Sequence, residues 1–600
     1  MALAGLSFSA CRGQPVKPAS PHEIVYYGET DRIRGFDPAR AGDVASALAI
    51  SRIYEGLYQY AYLARPYRLE PALAEGMPEV SADGLVYTIH VRRGIYFSDD
   101  PCFVATGGRG RELTAADFVY AIKRVADVKT ESTGFWAFNE RIVGLNEFRD
   151  ATLGDQLVNY DRPVAGLETP DRYTLRITLT RPYPQWVWIL AMHYAFAVPR
   201  EAVEYYTGRA GREWFHSHPV GTGPYRLASW TRNYRIEFVR NPKWAETSRV
   251  ERYPSEGESG DLENGLLAAA GRPVPFIDRV VQYVIEDAST QWLLFLGGQV
   301  EQSGISRDNW DAVIGADRKL TPALAKRGLR LLTAPSMTTY YVGFNMDDPV
   351  VGPNKKLRQA LCFAFDAEAW MRYYNMRMLP ANGPLPPGIA GARPVEAPNP
   401  YALNLEKARR LMTEAGYPDG VDPVTRRRLV LTLEVGSAND PDARASVELF
   451  ASFMEKIGVR IEPSYSNWPT FLDKLDRRQS QLFRLAWVSD YPDAENFLQL
   501  FYGPNSSPGP NHSNYVNPEF DKLYEKVRIM PDTPERTVLY QTMAAIVMED
   551  VPWLCLSYPL TFGLQHGWMK NYKPHDYPYG LSKYYDLDAA ARLAWRERYR

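Results

Sequence analysis

The stretch that decides the fold is Trp487-Val488-Ser489-Asp490-Tyr491-Pro492-Asp493-Ala494-Glu495-Asn496-Phe497. It includes the end of a mostly apolar run, Leu482–Val488, which predicts a buried strand. Acidic residues and a Tyr-Pro step come directly after this run. Open α/β sheets hold ligands at the carboxyl ends of their strands. The stretch therefore predicts a ligand site at this edge in which the protein supplies negatively charged groups.

A plain structural interpretation competes with this one. Asp490 or Asp493 could cap a short helix over residues 495–501. Acidic residues before an apolar helical pattern are usually N-caps, so the stretch taken alone favours the cap. The two interpretations are compatible, because one carboxylate can both cap a helix and meet a ligand.

Length and composition set the class of protein. A chain of 600 residues is too long for one core and predicts two to four domains. With 45% hydrophobic and 23% charged residues it is typical of a folded soluble protein. A net charge of −2 gives no basic field, so we expect no nucleic-acid partner. The 39 tyrosines and 14 tryptophans suit a recognition surface, although they also build cores.

The sequence offers no convincing metal or cofactor site. Its four cysteines lie far apart, and no Cys-x-x-Cys occurs, which argues against zinc-ribbon and thioredoxin-like folds. His216 and His218 form one pair without a matched third ligand, so a polar loop is the better interpretation. The nearby Gly221-x-Gly223 lacks the Gly-Lys-Ser/Thr of a phosphate loop. We therefore expect no metal and no cofactor.

Cys11 differs from the other cysteines. It follows an apolar and then small-residue run and precedes a polar, Pro-rich segment, which resembles the lipobox of bacterial lipoproteins. Phe8 departs from the usual Leu, and the charged leader region is missing. We predict that Cys11 is lipidated and that residues 12–22 form a tether. The longest internal apolar run, residues 186–198, is too short to cross a bilayer.

Local patterns predict several elements. Asp43 should cap a helix whose spacing continues to about residue 57, and strict alternation over residues 85–91 predicts a half-buried strand. A capping box at residues 114–117 begins an amphipathic helix. Residues 429–461 predict a right-handed βαβ unit with parallel neighbouring strands.

Eight short motifs occur in a fixed order across nearly the whole chain. They are Tyr54-Glu55-Gly56-Leu57, Val91-Arg92-Arg93-Gly94-Ile95-Tyr96-Phe97-Ser98-Asp99, Leu113-Thr114-Ala115-Ala116-Asp117-Phe118, Pro219-Val220-Gly221-Thr222-Gly223-Pro224-Tyr225, Tyr341-Val342-Gly343-Phe344-Asn345, Leu357-Arg358-Gln359-Ala360-Leu361 with Asp366, Glu406-Lys407-Ala408 with Ala415-Gly416-Tyr417-Pro418, and Asp490-Tyr491-Pro492-Asp493. Each motif alone is weak. Together and in this order they resemble the extracytoplasmic solute-binding proteins of ABC importers, the oligopeptide/dipeptide/nickel-binding family.

The resemblance implies an α/β fold of the two-lobed periplasmic-binding-protein type II architecture with an additional inserted domain. Lobe I is expected to be built from three separate segments, 23–57, 219–336 and 549–600, and lobe II from residues 337–548. The inserted extra domain would cover residues 58–218, and residues 1–22 would be a signal remnant and lipoprotein tether. Residues 106–110 and 249–271 depart from the family pattern, so the boundaries near them are open.

The resemblance also implies a function. The lobes would close over a peptide, and the closed form would deliver it to an ABC permease and its ATPase subunits; the protein would be a monomer outside the cytoplasm and not an enzyme. In peptide-binding relatives an aspartate in the place of Asp490 pairs with the α-ammonium group of the peptide. Trp487, Tyr491 and Asn345 are the further residues expected to contact the ligand.

Three alternatives remain open at this stage. The same fold could bind a nickel chelate or another small solute. The protein could instead be a peptide-sensing adaptor that serves a signalling partner. The least favoured alternative is a hydrolase that uses Asp490 and Asp493 as paired carboxylates, for which the sequence shows no supporting motif.

Overall fold

The structure is a computed structural model, and it describes residues 25–30, 33–154, 158–210, 215–246, 250–285, 287–306, 309–315, 317–437 and 441–599. The predicted lipid site at Cys11 and the predicted tether over residues 12–22 lie outside the described residues. Within those residues, no helix is both long and apolar enough to span a bilayer.

The strands of the described residues are β1 (Val25–Thr30), β2 (Tyr58–Tyr60), β3 (Leu69–Pro71), β4 (Glu79–Val80), β5 (Val86–His90), β6 (Leu167–Asp171), β7 (Thr174–Thr178), β8 (Tyr225–Thr231), β9 (Arg235–Arg240), β10 (Arg279–Val284), β11 (Gln302–Gly304), β12 (Leu329–Pro335), β13 (Thr338–Phe344), β14 (Met378–Pro380), β15 (Val430–Val435), β16 (Arg460–Tyr465), β17 (Leu482–Val488), β18 (Trp553–His566), β19 (Met569–Lys570) and β20 (Asp586–Leu587).

The α-helices are α1 (Val44–Ile50), α2 (Ala115–Ala126), α3 (Leu145–Gly154), α4 (Trp186–Leu190), α5 (Arg200–Ala210), α6 (Pro242–Glu246), α7 (Ala288–Leu296), α8 (Trp310–Val313), α9 (Pro322–Lys326), α10 (Lys355–Ala364), α11 (Ala367–Tyr373), α12 (Leu405–Glu414), α13 (Pro441–Glu455), α14 (Trp468–Asp476), α15 (Glu495–Leu498), α16 (Pro518–Val527), α17 (Pro534–Asp550) and α18 (Ala589–Tyr599). Short 3₁₀ helices cover Val104–Thr106, Val128–Thr130, Phe135–Ala137, His193–Ala195, Phe215–Ser217, Pro418–Gly420, Gln499–Phe501, Gly503–Asn505 and Leu581–Tyr584.

Three larger sheets organise the chain. The first has the strand order β1-β10-β9-β8, and the second, built only from residues 79–178, has the order β4-β5-β7-β6. The third runs β11-β18-β13-β17-β15-β16, with β12 and β14 also paired to β18. We propose that the first two sheets mark the first lobe and the inserted domain, and that the third marks the second lobe except for β11 and β12, which fall in the segment 219–336 assigned to the first lobe.

Strand β18 belongs to more than one region of this arrangement. Its first half pairs with β13, as in Trp553 opposite Gly343, whereas its second half pairs with β12 and β11. The proposed return to the first lobe at residue 549 therefore needs adjustment, because residues 553–557 still extend the sheet of the second lobe. One continuous strand carries the chain out of that lobe.

Several local predictions are confirmed. The side chain of Asp43 accepts a hydrogen bond from the Ser46 backbone N–H at 2.8 Å, and the capping box at Thr114 and Asp117 is formed. β15 and β16 are parallel neighbours that flank α13, as the βαβ pattern requires. The predicted continuation of helical spacing beyond α1 is wrong, because the helix ends at Ile50.

The Gly221-x-Gly223 motif is explained by close packing. A Cβ atom at Gly221 would lie 2.0 Å from the carbonyl oxygen of Ile53, and the Gly223 N–H donates to that same oxygen at 2.7 Å. Only a residue without a side chain allows this approach. The motif therefore joins the chain after the inserted domain to the segment before it, next to the motif that begins at Tyr54.

The large sheet has an apolar core on each face. Val342 and Phe344 of β13 pack into one core, and Tyr341 packs into the other together with Phe483 of β17. This is the period-two alternation of a strand that is covered on both sides. Leu482 and Phe483 at the start of β17 enter the two cores in the same way, whereas the strand becomes more exposed toward Val488.

Candidate ligand-binding site

The turn after β17 presents Asp490. The backbone N–H of Asp490 donates to the Oδ1 atom of Asn496 at 3.1 Å, and the Asn496 side-chain amide donates to Oδ2 of Asp490 at 3.1 Å. The N–H of Glu495 donates instead to Oδ1 of Asp493 at 2.9 Å. Asp493 thus serves the start of α15, and the cap interpretation does not hold for Asp490.

Asp490 is a largely buried carboxylate without a counter-charge. Burial raises its pKa, and the hydrogen bond from Asn496 only partly opposes that rise. Within the residues that the structure describes, Asp490 forms no ion pair. An isolated buried carboxylate is costly, so this position favours the arrival of a cation.

Tyrosines from distant segments of the chain surround this carboxylate. Burial raises the pKa values of Tyr60, Tyr194 and Tyr579, and the negative charge of Asp490 adds to each rise. Tyr60 lies on β2, Tyr194 lies in the proposed inserted domain, and Tyr579 lies in the C-terminal segment. Asp490 therefore lies near side chains of the proposed inserted domain and of the C-terminal segment assigned to the first lobe.

The surrounding wall includes a stack of aromatic rings that sequence reasoning missed. The ring of Tyr60 stacks on Tyr577 at a centroid distance of 4.8 Å and on Trp188 at 5.5 Å. Such rings give a rigid contact surface at low cost in conformational entropy. The only signal in the sequence was the high aromatic content, which does not say which rings meet.

Tyr491 connects two regions of the molecule. Its hydroxyl lies 2.9 Å from the hydroxyl of Tyr183 and donates to Oε2 of Glu495 at 2.8 Å. The side chain is buried and packs in the core shared by the first sheet and the inserted domain. Tyr491 is the neighbour of Asp490 in the chain, but its hydroxyl forms hydrogen bonds with other side chains of the protein.

Trp487 supports the turn through Asn496. Its indole N–H donates to Oδ1 of Asn496 at 2.9 Å, and this oxygen also accepts the backbone N–H of Asp490. Trp487 therefore positions Asn496, which in turn holds Asp490. Its half-buried side chain is one step removed from the carboxylate.

The structure does not bring Asn345 to the same place. β13 and β17 are antiparallel, so Phe344 lies opposite Leu482 whereas Thr338 lies opposite Val488. Asn345 and Asp490 therefore lie at opposite ends of the strand pair, about 20 Å apart. The Asn345 amide donates to the carbonyl oxygen of Ser480 at 2.8 Å. It holds a turn at the far end of the strand pair, away from Asp490.

Asp493 forms a buried ion pair. Nη1 of Arg536 lies 2.8 Å from Oδ2 of Asp493, and the Tyr540 hydroxyl donates to Oδ1 at 2.7 Å. Both charged side chains are almost fully buried. A carboxylate held in this way is a structural element, so the pairing of Asp490 with Asp493 in a hydrolytic site finds no support here.

The described residues contain no group of three or more His, Cys, Asp or Glu side chains arranged to hold a metal ion. His216 contacts an Nη atom of Arg232 at 2.7 Å, and His218 stacks on the ring of Tyr206. His216 belongs to the 3₁₀ helix Phe215–Ser217, and His218 follows directly after it.

Comparison with known proteins defines the class. Residues 68–509 match the profile of the bacterial extracellular solute-binding proteins, family 5, middle region. The chain is 25% identical over 608 residues to heme-binding protein A of Haemophilus influenzae, covering 98% of each, and 24% identical over 548 residues to di/tripeptide-binding protein 2 of Pseudomonas aeruginosa, covering 90% of each. The solved structure of the periplasmic binding protein DppA from Helicobacter pylori, in complex with the peptide STSA, has a TM-score of 0.67 and 22% identity, with coverage of 94% of this chain and 98% of that one.

The fold is therefore that of an extracytoplasmic solute-binding protein of type II architecture. The chain belongs to family 5 of the bacterial extracellular solute-binding proteins, which serve ABC importers.

Proposed function

We propose that this protein binds peptides, either oligopeptides or dipeptides, in the cleft between its lobes and delivers them to an ABC permease with its ATPase subunits. The observation that carries the proposal is the largely buried carboxylate of Asp490, which faces tyrosines of the opposite side and forms no ion pair among the described residues. A peptide α-ammonium group supplies the missing charge.

The same contact explains why a bound ligand would favour the closed form of the protein. A ligand held by Asp490 on the second lobe and by the aromatic wall on the other side binds the closed arrangement more tightly than the open one. Ligand binding then shifts the population toward the closed form, which is the form that the permease would recognise. The names of the di/tripeptide-binding relative and the peptide complex of DppA support a peptide as the solute.

Location and assembly belong to the same proposal. The family is extracytoplasmic, and we propose that Cys11 carries a lipid that anchors the protein to the membrane. We further propose that the protein acts as a monomer and binds its solute without catalysis.

The decisive experiment compares two peptides on two proteins. Asp490→Asn keeps the shape of the side chain but removes its charge, so peptides with a free N-terminus should bind about 30- to 1000-fold more weakly to the variant. N-acetylated peptides should bind poorly to the parent protein and lose little more in the variant. Isothermal calorimetry measures both, and Asp473→Asn, a change of an exposed acid on α14, is the matched control.

Equal affinities for free and acetylated peptides on both proteins would remove Asp490 from the site. Mass spectrometry of the solute released from denatured protein tests the ligand class directly. Release of heme, a nickel chelate or another non-peptide solute would contradict the peptide assignment.

A further inference from the structure

A cavity lined by several charged side chains lies next to Tyr183, whose hydroxyl contacts that of Tyr491. It has a volume of about 130 Å³ and opens between the proposed inserted domain and the second lobe. The residues that carry the argument are Arg141, Arg181 and Tyr183 on one wall and Glu495, Tyr524 and Arg528 on the other. Both bodies therefore contribute charged or polar groups to one small space.

Two arginines of this cavity lack a direct ionic partner. In the described ranges, neither Arg141 nor Arg181 forms an ion pair with a carboxylate, whereas Arg528 pairs with Glu525 at 2.8 Å. The guanidinium of Arg141 lies over the ring of Tyr183, 4.0 Å from its centroid. Stacking of this kind occupies the face of a guanidinium and leaves N–H donors along its edge for an anion.

Glu495 is the one acidic residue among the described residues that line the cavity. One of its carboxylate oxygens accepts from the Tyr491 hydroxyl, and the other accepts from the hydroxyl of Tyr524. Burial raises the pKa of Glu495, and the hydrogen bonds from Tyr524 and Tyr491 and the positive charge of Arg141 oppose that rise. The lining therefore combines three arginines with one carboxylate, and Glu525 pairs with only one of those arginines, so positive charge is in excess.

We infer that this cavity is an oxyanion-binding site that takes a carboxylate, phosphate or sulfate group between Arg141 and Arg181. Arginine is suited to such groups because its N–H donors match two oxygens at once. The volume is sufficient for one such group with a few water molecules. The anion would come either free from solution or as a carboxylate of the transported solute, and the second source rests on the proposed peptide function.

The position of the site gives it an effect on domain closure. Glu495, Tyr524 and Arg528, which line the same cavity, lie in the segment assigned to the second lobe, so an anion held by Arg141 and Arg181 occupies a space that both bodies line. Its binding favours the arrangement in which the two walls are close. The site is therefore a second point of attachment beside the Asp490 site.

The first test uses inorganic phosphate in the absence of peptide. Calorimetric titration at constant ionic strength should show binding to the parent protein and affinities about 10- to 100-fold weaker for Arg141→Gln and Arg181→Gln. Arg176→Gln, a change of an exposed arginine on β7 that pairs with Glu168, is the control and should bind phosphate like the parent. Asp490→Asn should also keep phosphate binding, so this result does not depend on the peptide proposal.

The second test asks whether the solute brings the anion. Peptides with a free C-terminal carboxylate are compared with their C-terminal amides on the parent, Arg141→Gln and Arg181→Gln proteins. A preference of at least about tenfold for the free acid that disappears in both variants assigns the site to the solute. Arg181 is exposed, so its variant remains informative if the variant of the half-buried Arg141 folds poorly.

The inference is overturned if neither probe depends on these arginines. Equal heats of phosphate titration for the parent and for the Arg141→Gln, Arg181→Gln and Arg176→Gln variants would be a general salt effect. Together with equal loss of affinity for free-acid and amidated peptides, that outcome would leave the cavity without an anion.

Discussion

The hydroxyl of Tyr183 lies 2.9 Å from the hydroxyl of Tyr491, and this pair joins the proposed inserted domain directly to the second lobe. Tyr491 is the neighbour of Asp490 in the chain, so the residue proposed to hold the ligand and a residue that holds the two bodies together belong to one turn. The proposed ligand contact at Asp490 and the Tyr183–Tyr491 contact therefore lie next to each other in the structure.

Removal of one hydroxyl from this pair should weaken ligand binding. We expect Tyr183→Phe to lower peptide affinity by about 2- to 10-fold, because one hydrogen bond across the contact is lost. Tyr491→Phe should lower affinity at least as much, because its hydroxyl also donates to Glu495, and the double variant should lose no more than Tyr491→Phe alone, since Tyr183→Phe removes only the bond that the two share. Calorimetry on all three proteins checks this, with the exposed Tyr234→Phe as control. Fully additive losses would show that the two hydroxyls act independently.

Asp493 should matter for stability and not for the ligand. Asp493→Asn leaves the buried guanidinium of Arg536 without its ionic partner, which should lower the free energy of unfolding by about 3–5 kcal/mol. Peptide affinity of the folded protein should stay within about threefold of the parent. Urea unfolding and calorimetry measure the two quantities. An affinity loss as large as that of Asp490→Asn would place Asp493 in the ligand site after all.

The raised pKa of Asp490 predicts a dependence of stability on pH. Without ligand, the folded protein holds the Asp490 proton more tightly than the unfolded chain does, whose carboxyl group has a pKa near the ordinary value of 3.8. Folding stability linked to this group is therefore present below the ordinary pKa and is lost as pH rises from there through the raised value.

Asp490→Asn removes this loss. Compared with the parent, the ligand-free variant should have a free energy of unfolding about 1 kcal/mol higher at neutral pH and nearly the same at about pH 3. Urea unfolding at the two pH values, with Asp473→Asn as control, measures the difference. A gain of equal size at both pH values would attribute it to something other than the ionised carboxylate.

The lipid site at Cys11 has a cellular test. Cys11→Ser, expressed in a bacterium behind a complete lipoprotein signal sequence, should move the protein from the membrane fraction to the soluble fraction. One acyl chain holds a protein weakly, and two or more hold it stably, so loss of the lipidated cysteine should be decisive. Cys102→Ser is the control, because Cys102 is a buried thiol of the folded domain. Unchanged partitioning would contradict the anchor.

The sequence by itself determined the local elements and the position of the key acid. Period-two alternation predicted β5 and a mostly apolar run predicted β17, because such patterns are typical of strands that pack against a core. The caps at Asp43 and Thr114 could be predicted because they depend on residues only three positions apart. Asp490 could be singled out from local sequence as well, because it follows the predicted strand β17 closely.

Only the tertiary structure decided what Asp490 meets. Tyr183 and Tyr491 are 308 positions apart, and the rings of Tyr60 and Tyr577 meet from opposite ends of the chain. Contacts of this kind depend on the path of the whole chain and leave no periodic signal in either segment. The same reason explains the place of Asn345. Its motif precedes that of Asp490 along the chain, but the antiparallel pairing of β13 with β17 puts the two residues at opposite ends of the sheet.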